Sequence, residues 1–108
     1  MKKLLLFLFC IPCLGIAQNS HTINTVGSTF SPSSLTINVG DTVNWNNTAG
    51  SHNVNATQAT FPNNPEGFGN AVAGAGWTFQ WIFTMAGTYD YQCDPHAPGM
   101  SGVIIANA

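Results

Sequence analysis

Residues 89–102 read Tyr-Asp-Tyr-Gln-Cys-Asp-Pro-His-Ala-Pro-Gly-Met-Ser-Gly and bring a thiol, an imidazole and a thioether together at Cys93, His96 and Met100. Each is a soft or borderline metal ligand. Thiolate and thioether sulfur together favour copper over calcium or magnesium, which take oxygen ligands. Two His and one Cys in a plane, with a weak axial Met, form the blue-copper arrangement. The stretch holds one His, so a second is required upstream, and His52 in Ser51-His52-Asn53-Val54 supplies it. Taken singly, these residues have ordinary explanations, since a buried Cys is a small hydrophobe and Met fills gaps in cores. Together they occupy one turn whose shape is set by Pro95, Pro98 and Gly99. That combination predicts one copper ion per chain.

The segments on either side alternate with period two, so strands are expected. Thr88 to Gln92 leads into the ligand turn, and Gly102 to Ala106 leaves it, with Val103 and Ile105 facing one way. Upstream, Trp77 to Thr84 puts Trp77, Phe79, Trp81 and Phe83 on one face, the pattern of a packed sandwich core. Thr42 to Asn46 points Val43 and Trp45 inward, and His52 to Asn55 begins a further strand. Ser34 to Val39 aligns Leu35, Ile37 and Val39, and His21 to Val26 is a first strand. Gly40-Asp41 and Ala86-Gly87 turn the chain, and Pro32 suits an edge or turn. Thr57 to Gly76, with two Pro and several Gly, is irregular, and Phe61 and Phe68 are its candidate anchors. The sum is an all-β Greek-key sandwich or barrel of seven or eight strands.

These stretches resemble the small cupredoxins of the plastocyanin, pseudoazurin and amicyanin group. The resemblance runs from about Phe30 to the end, through F-S-P-S-S-L-T-I-N-V-G-D-T-V-N-W-N-N, S-H-N-V, M-A-G-T-Y-D-Y-Q-C-D-P-H and G-M-S-G-V-I-I-A. It implies that His52, Cys93 and His96 are the three strong ligands and that Met100 is the axial one. It also implies that Asn53 ties the two ligand loops together by hydrogen bonds. Plastocyanins usually place four residues between the second His and the Met, and amicyanins two. Here Ala97, Pro98 and Gly99 make three, so the reach of Met100 is specific to this chain. In plastocyanins a Tyr beside the ligand Cys leads to a remote acidic docking patch. Gln92 stands there in this sequence, and that second route is not implied.

Met1 to Ala17 reads as a secretory signal, with Lys2 and Lys3, an apolar run over residues 4–16, and Gly15-Ile16-Ala17 as the cleavage site. The run is too short to cross a hydrocarbon core of about 30 Å. Phe9 before Cys10 and Pro12 before Cys13 do not fit a lipoprotein anchor. Residues 18–108 are then expected as one exported, soluble domain in the periplasm or outside the cell. That portion has four acids, Asp41, Glu66, Asp90 and Asp94, and no Lys or Arg. Nucleic-acid binding, which needs cations against phosphate, is excluded on that ground. Cys10 and Cys13 leave with the signal, so Cys93 stands alone in an oxidising compartment. Ligation to a metal protects such a thiol, and a binuclear copper centre bridged by two Cys is excluded.

The expected function is one-electron shuttling between redox partners by a monomer. Pro95, Ala97 and Pro98 around His96 would form a small apolar docking patch for brief encounters. The competing reading is a periplasmic copper carrier or chaperone, a class that relies on exposed Met and His clusters. An enzyme would need a further copper with more His, and only His21 is left over, read as an ordinary exposed residue. A zinc site with one Cys and two His would leave Met100 without a role.

Overall fold

Residues 18–108 are described here in a computed structural model, and the expected signal segment lies outside the described residues. Nine strands follow in order: β1 Ser20–Val26, β2 Thr29–Ser31, β3 Ser34–Asn38, β4 Thr42–Asn46, β5 Asn55–Ala56, β6 Phe68–Gly69, β7 Thr78–Ile82, β8 Gly87–Gln92 and β9 Ser101–Asn107. The two shortest, β5 and β6, pair with each other, and β6 lies within residues 57–76, the segment expected to be irregular. One 3₁₀ turn, Asp94–His96, lies between β8 and β9.

The strands form two sheets, ordered β2-β1-β4-β7 and β3-β9-β8-β5-β6. Two contacts are parallel, β1 with β4 and β3 with β9, and the other pairings are antiparallel. The sheets enclose one apolar layer. Trp45 of β4 and Tyr91 of β8 meet edge to face across it, ring centroids 5.5 Å apart, and Phe68 lies 5.8 Å from Trp45. Such aromatic pairs add about 0.5–1.5 kcal/mol each beyond the area they bury. Val43, Trp45 and Phe83 are fully buried as the alternation predicts, while Trp77, Phe79 and Trp81 pack against the core only partly buried.

Strand phase is what delivers the ligands. Along β8 the buried side chains are Tyr89 and Tyr91, and the same alternation carries Cys93 inward just beyond the strand. From the residue before β9 onward, the inward set is Met100, Gly102, Ile104 and Ala106. Val103 and Ile105 do share a face, but it is the outer one. Gly102 sits opposite Tyr91 in the ladder, and a Cβ there would come within 2.4 Å of the phenol ring. Glycine is thus required between Met100 and Ile104 so that Tyr91 can fill the core.

The strand expected over His52–Asn55 is reduced to β5. His52 makes only an isolated bridge, its N–H and C=O bonded to Ala73 at 3.1 and 3.2 Å. Beyond it, the Asn70 side chain takes the Val54 N–H at 2.7 Å, and the Val54 carbonyl accepts from the Asn70 N–H at 2.9 Å. Asparagine side chains here do what a neighbouring strand would otherwise do. Val39, expected on the buried face of β3, lies just past the strand end and is exposed.

Candidate metal centre

The site lies at the end of the sandwich where β8 stops and β9 begins. Cys93 N–H donates to the Met100 carbonyl at 2.9 Å, which extends the β8–β9 ladder by one rung into the loop. Inside that rung the chain closes tightly: His96 N–H reaches the Cys93 carbonyl at 3.2 Å, and Met100 N–H reaches the His96 carbonyl at 3.1 Å. Three intervening residues are therefore enough to return Met100 to the core, where it is fully buried. Pro95, at the start of the 3₁₀ turn, has no N–H to leave unpaired.

The structure brings together three of the predicted residues. The donor atoms of His52, Cys93 and His96 lie within 4.8 Å of one another and, among the described residues, form the one such group. Cys93 Sγ is 3.5 Å from Nδ1 of His52 and 3.5 Å from Nδ1 of His96. Three donors in a plane around an ion at about 2.0–2.3 Å stand roughly 3.5–3.8 Å apart, so both sulfur–nitrogen separations suit a single bound ion. The two imidazoles are 5.0 Å apart between centroids. Cys93 is fully buried and His52 nearly so, while His96 is partly exposed.

His52 is held from behind. Its Nε2 edge lies so close to Gly50 that a Cβ there would come within 2.9 Å. Gly50 also has φ +82°, a left-handed backbone that favours glycine. Pinning the outer edge leaves Nδ1 facing the sulfur, the arrangement by which a ligand imidazole is usually oriented. Burial, reinforced by the neighbouring His96, holds His52 below the ordinary imidazole pKa and so keeps it neutral and able to ligate.

Asn53 joins the two loops. Its Oδ1 accepts the Asp94 N–H at 2.8 Å, and its Nδ2 donates to Asp94 Oδ2 at 3.0 Å and to the Asn70 carbonyl at 3.2 Å. The residue after one His is thereby fastened to the residue after the Cys. Sequence reading did not single out Asp94, whose carboxylate also accepts from Asn55 and Gln92 at 2.9 and 3.0 Å. Those amides, with Asn53, hold its carboxyl below the usual carboxylate range. The available signal was an acid directly after the ligand Cys, facing an Asn-rich segment after His52. His21 joins no metal group; it bonds Asp41 at the other end of the molecule.

A thiol and two imidazoles at these distances, with a buried Met just before the adjoining strand, make the arrangement of a blue-copper site on a cupredoxin sandwich. The comparisons agree. The family described as "Copper binding proteins, plastocyanin/azurin family" matches residues 17–107. Plastocyanin A/B of Petroselinum crispum is 37% identical over 87 residues, covering 75% of this chain and 90% of the relative. Plastocyanin of Scenedesmus fuscus is 40% identical over 81 residues, covering 69% of this chain and 83% of its own. Among solved structures, an oxidised methionine-to-leucine variant of amicyanin superposes with a TM-score of 0.68 at 28% identity, covering 81% of each chain. This chain belongs to the plastocyanin/azurin family of copper-binding proteins.

Proposed function

We propose that this chain is an exported, soluble electron carrier in which His52, Cys93, His96 and Met100 hold one copper ion and Asn53 keeps the two ligand loops in register. Copper supplies a reversible one-electron couple when bound. The observation that carries the reading is the convergence of a buried thiol on two imidazole nitrogens, each at 3.5 Å, from two loops fastened to each other. Cys93 contributes a soft, charge-donating sulfur, and its burial keeps water and oxidants from it. The β8–β9 rung and the Asn53 clamp hold the donors against rearrangement, so a change of charge at the site meets little structural cost. His96 is the way out. Its neighbours Pro95, Ala97, Pro98 and Gly99 are exposed and uncharged, as are Gly27, Ala49 and Ser51. These uncharged neighbours of His96, next to the exposed Asp94 carboxylate, suit brief, weak encounters with redox partners.

The carrier or chaperone reading finds less support. Cys93 is inaccessible, and the other Met of residues 18–108, Met85, is half exposed at the far end of β8. No helix among the described residues is long and apolar enough to cross a membrane. Residues 1–17 as a cleaved signal would place the folded unit, residues 18–108, in the periplasm or outside the cell, as a monomer. Metal analysis with cyclic voltammetry tests the function: one copper per chain and a reversible one-electron wave are expected. Copper that binds and leaves freely without a reversible wave would mean ion carriage instead.

A further inference from the structure

We propose that Asp94 is a positioning residue whose carboxylate braces both ligand-bearing segments and whose negative charge biases the site toward its oxidised form. The inference rests on the blue-copper reading above. Its basis is the way this one side chain is held. Asp94 follows Cys93 directly, yet its carboxylate turns back onto the segment that follows His52. Oδ2 accepts from Asn53, and Oδ1 accepts from both Asn55 and Gln92, at 2.9–3.0 Å. The Asp94 N–H completes the ring by donating to Asn53 Oδ1 at 2.8 Å.

All three side-chain partners are neutral amides. They orient the carboxylate and stabilise it, but they cancel none of its charge. The chain beyond Lys3 has no Lys or Arg to do so. A full negative charge is therefore fixed one residue from Cys93 and within hydrogen-bonding distance of the residue after His52. An electron arriving at the site adds negative charge near that carboxylate, which costs energy by Coulomb repulsion. The side chain is exposed, so solvent moderates the effect. A bias of about threefold to tenfold in the oxidised-to-reduced ratio is expected, ~30–60 mV at 59 mV per tenfold for one electron.

The brace also gives Gln92 a part. Its side chain makes one hydrogen bond, to the Asp94 carboxylate. Removing it leaves the charge in place with one donor fewer, so the charge acts more strongly. Charge and mere loop tightness therefore predict different signs for two variants.

The experiment measures the reduction potential and visible spectrum of the copper-loaded wild type, Asp94→Asn and Gln92→Ala. Asp94→Asn should keep the thiolate-to-copper band and raise the potential by the amount above, and the difference from wild type should shrink in high salt. Gln92→Ala should keep the band and not raise the potential. An unchanged potential in Asp94→Asn, or a rise in both variants, overturns the inference while the blue-copper reading stands. A wild type that binds copper without the band overturns the reading itself, and this inference with it.

Discussion

Both ends of the sandwich carry a histidine close to a potential partner, and the two ends treat it differently. At the far end, His21 on β1 meets Asp41 between β3 and β4, Nε2 to Oδ2 at 3.0 Å. Asp41 also accepts the N–H groups of Asn19 and Asn38, both at 3.0 Å, and is buried. Every strong donor there has an acceptor inside the protein. At the near end, His52 and His96 turn their Nδ1 atoms toward a thiol at 3.5 Å, a weak partner at a long distance. One end is closed on itself. The other is a set of donors converging on a point, which is what a site for an ion requires.

The contrast implies that the near end governs copper and the far end governs the fold. The largest effect should follow Cys93→Ser, which removes the thiolate. Copper affinity and colour should collapse, with apoprotein melting changed by no more than about 1–2 kcal/mol. An apoprotein unfolded at room temperature would show that the site is also a structural keystone.

Next in size is the metal's own stabilisation. Copper at a thousandfold excess over Kd should add about 4 kcal/mol by mass action, and a chelator should remove it. Asp41→Ala strands three donors and should lower apo and loaded forms alike, by roughly 2–3 kcal/mol. Distant sites add, so a metal increment that shrinks in Asp41→Ala would mean the ends are coupled. Calorimetry on the four samples decides this.

Within the near end, Met100 should act on potential rather than occupancy. Met100→Gln should keep copper and colour but lower the potential, because an oxygen donor favours Cu(II) more than a thioether does. Met100→Leu should raise it. Equal potentials in all three proteins, measured by voltammetry, would make Met100 a core residue and nothing more.

The smallest effect separates the ends by pH in the apoprotein. His52 has its folded pKa depressed below 6.5, so its contribution to stability is complete above 6.5 and is lost as pH falls from there through the lower folded value. Asp41 is lowered from 3.8 to about 2, chiefly by the hydrogen bond from His21, so its contribution is complete above 3.8 and is lost as pH falls toward 2. Asp41→Asn should flatten the lower window and leave the upper one. A change in the upper window instead would place the His52 effect elsewhere.

The near end was the readable one. Cys93, His96 and Met100 lie within one turn, so their chemistry is visible without any long-range pairing. Alternation located Val43, Trp45 and Phe83 correctly because both sheets bury one face. The far-end pair was not legible: His21 and Asp41 come together only through the parallel β1–β4 ladder, which leaves no local pattern. The same holds over residues 57–76. Asn64 is buried there and bonds the carbonyls of Ala56 and Asp90 and the Asp90 N–H, work that an Asn in a turn-like sequence does not announce. The phase of β9 was also open in the sequence, since Val103, Ile104 and Ile105 are all apolar. Gly102 opposite Tyr91 settles it in the fold.

The central claim is that Cys93 sulfur and the two imidazoles bind copper together, and the visible spectrum of the oxidised, copper-loaded protein tests it most directly. An intense thiolate-to-copper absorption at red wavelengths, with one copper per chain and absent from Cys93→Ser, is the predicted result. Bound copper with only weak absorption, or a band that survives in Cys93→Ser, would contradict it.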